Sequence, residues 1–307
     1  NAKYGEHLNH EQMTSLVAPG KTSVAKLVSW LQAEASVDPN AVTVVRHQDY
    51  LFVDLSAVQI EKLFKVKFAT YKNIHSGSVV ARAVGPIKVP AAIAQVVDTV
   101  SGFRGFPMKN QARPMKHGGA KKVGSKGTVS PKLGSPETNV SPKLLFSVYN
   151  LSASAVPKTP TGKTNIQSFF QAQGQYVEAS DLTSFCKSWM NFTSDFDMSK
   201  CKIDKYIGPD TNSQPGVESS LDSEYITATG FGQETWVYSY SGNDFCGDLL
   251  SWARDVFAAA SGEFPKVISM SYGSQTLPPF CDQKDVKRLT EDIQKMGTMG
   301  ISVMIAS

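Results

Sequence analysis

Strands that alternate with helices fill the chain after residue 141, and this alternation is the feature that most constrains the fold. Because parallel strands need crossover helices between them, the pattern predicts an α/β unit built on a parallel sheet. The predicted strands are 165–170, 235–240, 266–271 and 301–306, and the predicted helices are 249–260 and 284–296. Ligands gather at the carboxyl ends of the strands in such sheets, so we expect a functional site along that edge.

The first hundred residues follow a different order. Hydrophobic periodicity and turn residues predict helix, strand, strand, helix, strand, strand and helix, which suits one antiparallel sheet with helices on one face. Ser56 and Gln59 have the spacing of a capping box and mark the start of the second helix. We call residues 1–107 the N-terminal unit. Its predicted elements are helix 22–35, strands 42–46 and 50–54, a helix from 57, strands 66–71 and 78–83, and helix 90–97.

Residues 108–136 separate this unit from residues 137–307, which we call the C-terminal unit. The segment is rich in Lys, Gly, Ser and Pro, so it cannot bury enough apolar surface to offset the entropy of ordering it. We predict a flexible, basic, protease-sensitive linker. The alternative is a site for nucleic acid or an acidic membrane, but no aromatic residues are interleaved for base stacking, and we predict no nucleic-acid partner. No stretch approaches the roughly 18–20 apolar residues of a membrane span.

The net charge of +4 is distributed unevenly. Residues 1–103 carry 10 Lys and Arg against 8 Asp and Glu, and residues 104–136 carry 8 basic residues and no acid. Residues 137–307 carry 13 basic against 19 acidic residues. We therefore expect the two units to attract each other at neutral pH, and acidification to weaken the attraction by neutralising carboxylates.

The C-terminal unit contains four cysteines, none with the spacing of a zinc site: Cys186, Cys201, Cys246 and Cys281. An even set fits two disulfides, and reduced buried thiols are the alternative. Pairing of sequence neighbours, Cys186 with Cys201 and Cys246 with Cys281, is one of three possible connectivities. Three glycosylation sequons also fit a secretory route, at Asn139, Asn150 and Asn191.

Two carboxylates four residues apart, Glu218 and Asp222, lie in a predicted short helix between two glycines. Both side chains point from one face, where like charges weaken a helix by about 0.2–0.5 kcal/mol. A solvated helix face is the ordinary interpretation of such a pair. However, no basic residue occurs between Lys205 and Arg254, and Tyr225, Ile226 and Leu221 predict partial burial of the helix. A paired carboxylate can share a proton, so that one member acts as a base while the other orients it.

All five histidines lie before residue 118, so the C-terminal unit has none. This excludes, within these residues, a Ser–His or Cys–His nucleophilic pair and a histidine metal site. Any acid–base catalysis in this unit would be carried by carboxylates. With an ordinary pKa of about 4, a carboxylate base works in acid, where a histidine would be protonated.

Several segments together resemble the sedolisins, or serine-carboxyl peptidases. Glu218-Ser-Ser-Leu-Asp222 matches the E-x-x-L-D motif of that family's catalytic helix, and 235–239 and 267–273 are similar to the strands that follow it. Residues 51–71 resemble the activation prodomain, and 141–151 resemble the entry to the mature enzyme. The resemblance covers nearly the whole chain. It implies a subtilisin-like parallel sheet with flanking helices, in its N-terminal part only, preceded by a ferredoxin-like α+β prodomain.

The resemblance also implies roles for the paired acids. Glu218 would be the general base toward a nucleophilic serine, and Asp222 would hydrogen-bond Glu218 and keep it partly protonated. The family's G-T-S serine motif does not occur in this sequence, and its S-G-D oxyanion aspartate motif would begin at Ser307. We therefore expect the partner of this chain to be its own C-terminal half, which would carry the serine and the oxyanion aspartate. A calcium ion is implied as well, with ligands beyond this chain.

The function expected from these features is that of an acid-acting peptidase zymogen, secreted or in a lysosome or acidic vacuole. Cleavage in the linker would mature it, and the resemblance favours release of N-terminal tripeptides from peptide substrates. Two alternatives stay open. One is an endopeptidase of the same family. The other is a non-catalytic binding protein that kept the fold and lost the serine.

Overall fold

The computed structural model describes residues 5–74, 77–107, 140–151, 165–194, 196–208, 215–230, 232–260, 263–273 and 281–306. The predicted linker 108–136 and Asn139 lie outside these ranges. The helices are α1 (His10–Val17), α2 (Lys21–Ala35), α3 (Ala57–Phe64), α4 (Ala91–Ala94), α5 (Pro142–Val148), α6 (Ala179–Trp189), α7 (Val217–Thr229), α8 (Phe245–Ala258) and α9 (Gln283–Thr298). The strands are β1 (Thr43–Val44), β2 (Leu51–Phe52), β3 (Lys67–Lys72), β4 (Val79–Val84), β5 (Ile166–Gln171), β6 (Lys205–Ile207), β7 (Glu234–Ser239), β8 (Val267–Met270) and β9 (Ser302–Ile305).

The N-terminal unit is an α+β structure with its own apolar core. Leu31 of α2 and Leu63 and Phe64 of α3 pack there with Phe103. The predicted capping box is present at the start of α3, where the Ser56 hydroxyl accepts from the Gln59 N–H. The strands pair antiparallel, β1 with β2 and β3 with β4. They form two separate two-stranded sheets instead of the one sheet we predicted, because β1 and β2 span only two residues each and offer little ladder to extend.

Helix α1 was not predicted, and it packs on the C-terminal unit. Asn9 and Gln12 form a capping box at its start. Met13 is 3% exposed and belongs to the apolar core that also contains Trp252 and Met296 of the C-terminal unit. The backbone N–H of Leu8 donates to the carbonyl of Thr298 at 2.9 Å. The N-terminal unit is therefore joined to the C-terminal unit through its first helix.

The C-terminal unit contains a five-stranded sheet in the order β6-β7-β5-β8-β9, with every pair parallel. Every residue of the central strand β5 is buried. Its neighbouring residues Phe169 and Phe170 point to opposite faces, as successive strand residues do. Phe170 packs with residues of α8 and α9, whereas Phe169 packs with Val237 and, on α7, Ile226. Helices therefore cover both faces of the sheet.

The fold class predicted from the sequence is confirmed: an α+β unit precedes a subtilisin-like parallel sheet with flanking helices. The predicted strands of the C-terminal unit recur as β5, β7, β8 and β9, and the two predicted helices as α8 and α9. Helices α5 and α6 and strand β6 were not predicted. Within the described ranges, no helix is both long enough and apolar enough to cross a membrane.

Two disulfides pair the cysteines as sequence neighbours. Cys186 on α6 is bonded to Cys201, with Cα atoms 6.4 Å apart, and Cys246 on α8 is bonded to Cys281, with Cα atoms 5.8 Å apart. Both separations lie in the range that a disulfide spans without backbone distortion. This connectivity confirms one of the three that the sequence allowed. Each bond connects a helix of the C-terminal unit to a loop.

Candidate active site

Helix α7 carries the paired acids to the carboxyl edge of the sheet. It crosses over between the parallel strands β6 and β7, so it runs against them and its first turns lie where the strands end. Its N-cap, Gly216, has no capping side chain. The missing acceptor comes from the loop after β5, where Gln175 Oε1 accepts from the backbone N–H of Glu218 at 3.2 Å. A Cβ atom on Gly216 would lie 2.2 Å from that oxygen, so this close approach requires glycine.

Asp222 is the buried member of the pair, with 8% of its surface exposed. Ser271, the residue after β8, donates its hydroxyl to Asp222 Oδ1 at 2.5 Å. The other oxygen, Oδ2, is buried and has no hydrogen-bond partner among the described residues. Burial raises the pKa of Asp222 to about 6; the Ser271 hydrogen bond opposes this shift, and the charge of Glu218 adds to it. Asp222 thus retains a proton in mildly acidic solution.

Glu218 is half-buried, one helical turn before Asp222. Because its charge raises the pKa of Asp222, the two groups are electrostatically coupled. In the described part of the chain, the hydrogen-bond partner of Asp222 is Ser271 and not Glu218. Tyr272 lies beside the pair. Burial is the largest cause that raises the pKa of Tyr272, and the charges of Asp222 and Glu218 raise it further. The arrangement can hold one proton on a buried carboxyl beside a more accessible carboxylate.

The environment of α7 matches the expected partial burial with one exception. Tyr225 and Ile226 are partly buried, as predicted, but Leu221 is 48% exposed. Leu221 directly precedes Asp222, and adjacent residues on a helix are rotated by about 100°, so the two side chains lie on different sides of α7. The contact that covers Asp222 is with Ser271 at the end of β8, and Leu221 does not form a wall beside it.

The described residues do not fit a metal ion. They contain no group of three or more His, Cys, Asp or Glu side chains that could hold one. The calcium ion implied by the resemblance was expected to use ligands beyond this chain, and that expectation stays a prediction. Of the sequons, Asn150 and Asn191 are exposed, so a glycan would meet no packed residue at either position.

Two residues around the pair were missed by sequence reasoning, Ser271 and Gln175. Ser271 directly follows a strand of a parallel sheet, which is the place where functional side chains concentrate, so its position carried a usable signal. The sequence carried no such signal for Gln175. Its role depends on Gly216, a glycine N-cap 41 positions away that the fold brings next to Gln175. The sequence predicted the acids, and the fold supplied the groups that hold them.

Comparisons with known proteins agree with this architecture. Residues 1–106 match the pro-kumamolisin activation domain. The whole chain is similar to tripeptidyl-peptidase 1 of Mus musculus, with 30% identity over 99% of this chain and 50% of the relative. The same protein of Rattus norvegicus is 29% identical over equal shares, and that of Homo sapiens is 27% identical.

The chain spans about half the length of these curated relatives. The match runs through both units, because it covers 99% of the chain and continues past the activation domain that ends at residue 106. An activation domain followed by a subtilisin-like parallel sheet is the domain order that the sequence motifs predicted. Both findings agree with the resemblance to the sedolisins that the sequence motifs indicated.

Proposed function

We propose that this chain is the N-terminal half of an acid-acting serine-type peptidase zymogen that releases N-terminal tripeptides from peptides. The observation that carries the proposal is the coupled pair of Glu218 and the buried Asp222 at the carboxyl edge of the sheet. The similarity to tripeptidyl-peptidase 1 supports the tripeptide product. The nucleophilic serine and the oxyanion aspartate would come from residues beyond Ser307.

In this proposal Glu218 removes the proton from the serine hydroxyl as it attacks the peptide carbonyl, and returns it to the leaving amine. Asp222 would share its proton with Glu218 once the two carboxyls meet in the active enzyme, through a hydrogen bond that is absent among the described residues. Because Asp222 retains that proton up to a pKa of about 6, the singly protonated pair exists in acid and is lost near neutral pH. Activity in acid follows from this titration, and an acidic compartment such as a lysosome is the proposed location.

The N-terminal unit would keep the enzyme inactive before maturation. Its helix α1 packs into the apolar core of the C-terminal unit, and Arg82 donates to the carbonyl of Asn243 at 2.6 Å. Thr99 donates to Asp285 at 2.6 Å. The units are thus held by apolar packing and by hydrogen bonds, and not only by the opposite net charges that the sequence indicated.

The test uses the full-length protein that contains this chain, matured in acid, and a fluorogenic tripeptide with a free amino terminus. We expect turnover at pH 4–5, and Glu218→Gln should lower it about 10²–10⁴-fold. Glu224→Gln is the matched control, since Glu224 lies on the same helix, half-buried, with its pKa raised to about 7 by burial and by Asp181. The control should leave turnover within a factor of about two.

Three outcomes decide against parts of this proposal. Retention of more than about one percent of turnover by Glu218→Gln contradicts the assigned base. Equal cleavage of the same tripeptide substrate with an acetylated amino terminus indicates an endopeptidase. A wild-type protein that binds the peptide and leaves it intact at every pH is the non-catalytic binding protein of the alternative hypothesis.

A further inference from the structure

Ser271 contacts the candidate catalytic pair from a different element. Its hydroxyl donates to Asp222 Oδ1 at 2.5 Å, at the end of β8. Asp222 is otherwise buried, and its second oxygen has no partner among the described residues. Because the Ser271 hydroxyl has one hydrogen, it donates to one carboxyl oxygen at a time. It therefore fixes which oxygen of Asp222 is available to Glu218.

The backbone around Ser271 is fixed by its neighbours. The Tyr272 hydroxyl donates to the carbonyl of Ala172, after the central strand, at 3.0 Å. A Cβ atom on Gly273 would lie 2.6 Å from the carbonyl oxygen of Ala306, after β9, so the two strand ends approach closely here. The backbone that follows Ser271 is therefore held close to the ends of β5 and β9. A donor on such a backbone is preorganised, which is what an oriented acid–base pair needs.

We propose that Ser271 is a positioning residue that holds Asp222 with Oδ2 as the proton-carrying oxygen toward Glu218. This inference rests on the proposed function. With Oδ1 accepting from Ser271, a proton on the carboxyl occupies Oδ2, from which it can be shared. The titratable groups around Asp222 are Glu218 on α7, Tyr272 after β8, and Tyr176 after β5 beside Tyr272. Burial raises the pKa of Tyr272, so its phenol stays neutral in acid and adds no charge beside Asp222.

The test measures kcat against pH for Ser271→Ala in the full-length protein. The protonated Asp222 carboxyl loses the donor that orients it, so we expect kcat to fall about 10- to 100-fold. The Ser271 bond favours the ionised form of Asp222, so its loss also moves the alkaline limb of the profile to higher pH. Ser271→Thr keeps the hydroxyl, so its kcat and its alkaline limb should both match the wild type. Ser269→Ala, two residues earlier on the same strand, is the matched control and should leave kcat and the alkaline limb unchanged.

An unchanged pH profile in Ser271→Ala overturns the inference even if kcat falls, because a merely structural role would lower kcat without moving the limb. If Glu218→Gln abolishes turnover while Ser271→Ala behaves like wild type, only the role of Ser271 is wrong. If neither variant loses turnover, the proposed function itself fails. Should Ser271→Ala not fold, Ser271→Cys keeps the size with a much weaker donor, and the same two expectations apply.

A second, independent observation is a buried pair of histidines between the two units. His10 on α1 is 4% exposed and His47, after β1, is 1% exposed. His10 Nδ1 and His47 Nε2 are 3.2 Å apart, so one ring donates and the other accepts. The outer nitrogens, His10 Nε2 and His47 Nδ1, have no partner among the described residues. The pair therefore fits two neutral rings.

The histidine rings pack on the C-terminal unit. The ring centroid of His10 lies 5.6 Å from that of Phe264, and the centroid of His47 lies 5.0 Å from that of Phe257 on α8. Lys266 also contacts Phe264, with Nζ 3.9 Å from the Phe264 centroid. A proton added to either histidine would thus be buried near an existing positive charge.

Five charged side chains act on the histidine pair. Positive charges are contributed by Arg46 beside His47, Lys266 before β8 and Lys295 on α9; negative charges are contributed by Asp49 and Asp292. Burial is the largest cause that lowers the pKa of both histidines, to about 4 for His10, and the cations add to it. Asp49 and Asp292 oppose the shift at His47 without reversing it.

We infer that the His10–His47 pair is an acid-sensitive contact that releases α1 from the C-terminal unit as the pH falls. Doubly protonated rings would oppose two N–H groups and two buried charges. A single added proton would bury a charge whose outer N–H has no acceptor among the described residues, so the closed contact favours neutral rings. A folded pKa below the ordinary 6.5 stabilises the closed form above that value and destabilises it progressively as the pH falls toward 4. For His10 alone, the opening equilibrium constant should rise about 40-fold between pH 6.5 and pH 4.5.

The test is hydrogen exchange of the intact chain at pH 7 and pH 4.5, corrected for the intrinsic pH dependence of exchange. Helix α1 should lose protection in acid in the wild type. In the double variant His10→Gln/His47→Gln, which cannot titrate, it should keep the same protection at both values. His7→Gln is the matched control, because His7 is exposed three residues before His10, and it should behave like wild type.

Equal acid-induced loss of protection in the wild type and the double variant overturns the inference and assigns the release to carboxylates. If the double variant does not fold, the wild type decides by itself. NMR titration must then place the pKa of both buried histidines below 6.5, and a value at or above 6.5 for either contradicts the inference. Neither readout depends on catalysis, so this result stands apart from the proposed function.

Discussion

At the residue scale, the candidate site depends on a conflict between burial and charge at Asp222. Burial favours the protonated form of this carboxyl and raises its pKa to about 6. The Ser271 hydrogen bond moderates that preference and Glu218 strengthens it. A group with a raised folded pKa stabilises the protein below its unfolded value and loses that contribution as the pH rises through the folded value. Asp222 should therefore destabilise the fold at neutral pH.

This conflict predicts that Asp222→Asn is more stable than wild type at pH 7 by up to about 3 kcal/mol, from a shift of roughly two pKa units. The asparagine oxygen still accepts from Ser271, and no charge is buried. The difference should vanish below about pH 4, where Asp222 is protonated in both states. Urea unfolding of the chain at pH 4 and pH 7 measures it. The exposed Asp54→Asn is the control, and a variant no more stable than wild type at pH 7 contradicts the argument.

At the element scale, helix α7 is placed by a cap from another element. Gly216 lets the loop after β5 approach the helix N-terminus, so that Gln175 can supply the acceptor that the N-cap lacks. Helix termini leave backbone N–H groups without helical partners, and a buried start needs such a partner. The position of Glu218 on the first turn therefore depends on the contact between α7 and the end of the central strand.

This contact predicts that Gly216→Ala destabilises the C-terminal unit by about 1–3 kcal/mol, because the new methyl group would overlap Gln175. Gly20→Ala is a closely matched control. Gly20 is also an N-cap without a side-chain bond, at the start of α2, and its nearest atoms are 3.9 Å from a Cβ position. Thermal unfolding of the two variants should differ clearly. Equal melting temperatures would show that the loop moves away without loss.

The missed helices had readable signals at this scale. Asn9 and Gln12 have the spacing of a capping box before α1. In α6, Leu182, Phe185 and Cys186 recur at helical spacing and are buried together. By contrast, the two-residue strands β1 and β2 cannot be bounded from sequence, because two residues carry no measurable alternation.

At the scale of the whole molecule, the units meet through a buried ionic cluster beside the histidines. Asp49 of the N-terminal unit accepts from Lys295 Nζ and Arg288 Nη2 of α9, each at 2.5 Å. Asp292 joins both cations at 2.8 and 3.1 Å, and Tyr50 donates to it. Burial opposes ionisation of Asp49, but Lys295 and Arg288 outweigh it and lower its pKa. The cluster therefore persists in the pH range where the histidines change state.

The cluster predicts that Asp49→Asn lowers the free energy of unfolding by about 3–5 kcal/mol at pH 7, because removal of one partner leaves buried cations short of a counter-charge. Glu61→Gln is the control: it removes the charge that pairs with Lys67, whose side chain is 83% exposed, and should cost much less stability. Urea unfolding at pH 7 compares them. If the two variants lose the same stability, the cluster does not hold the units together.

Local patterns in the sequence determined the α/β character of the C-terminal unit, the α+β character of the N-terminal unit and the two acids on α7. Each is a property of neighbouring residues: strand and helix periodicity, and side chains one helical turn apart. Only the tertiary structure decided that Asp222 is buried against Ser271, that Gln175 caps α7, that α1 enters the core of the other unit, and that His10 meets His47. These contacts join residues far apart in the chain. Their energies depend on burial and on which side chains the fold brings into contact, and local periodicity encodes neither.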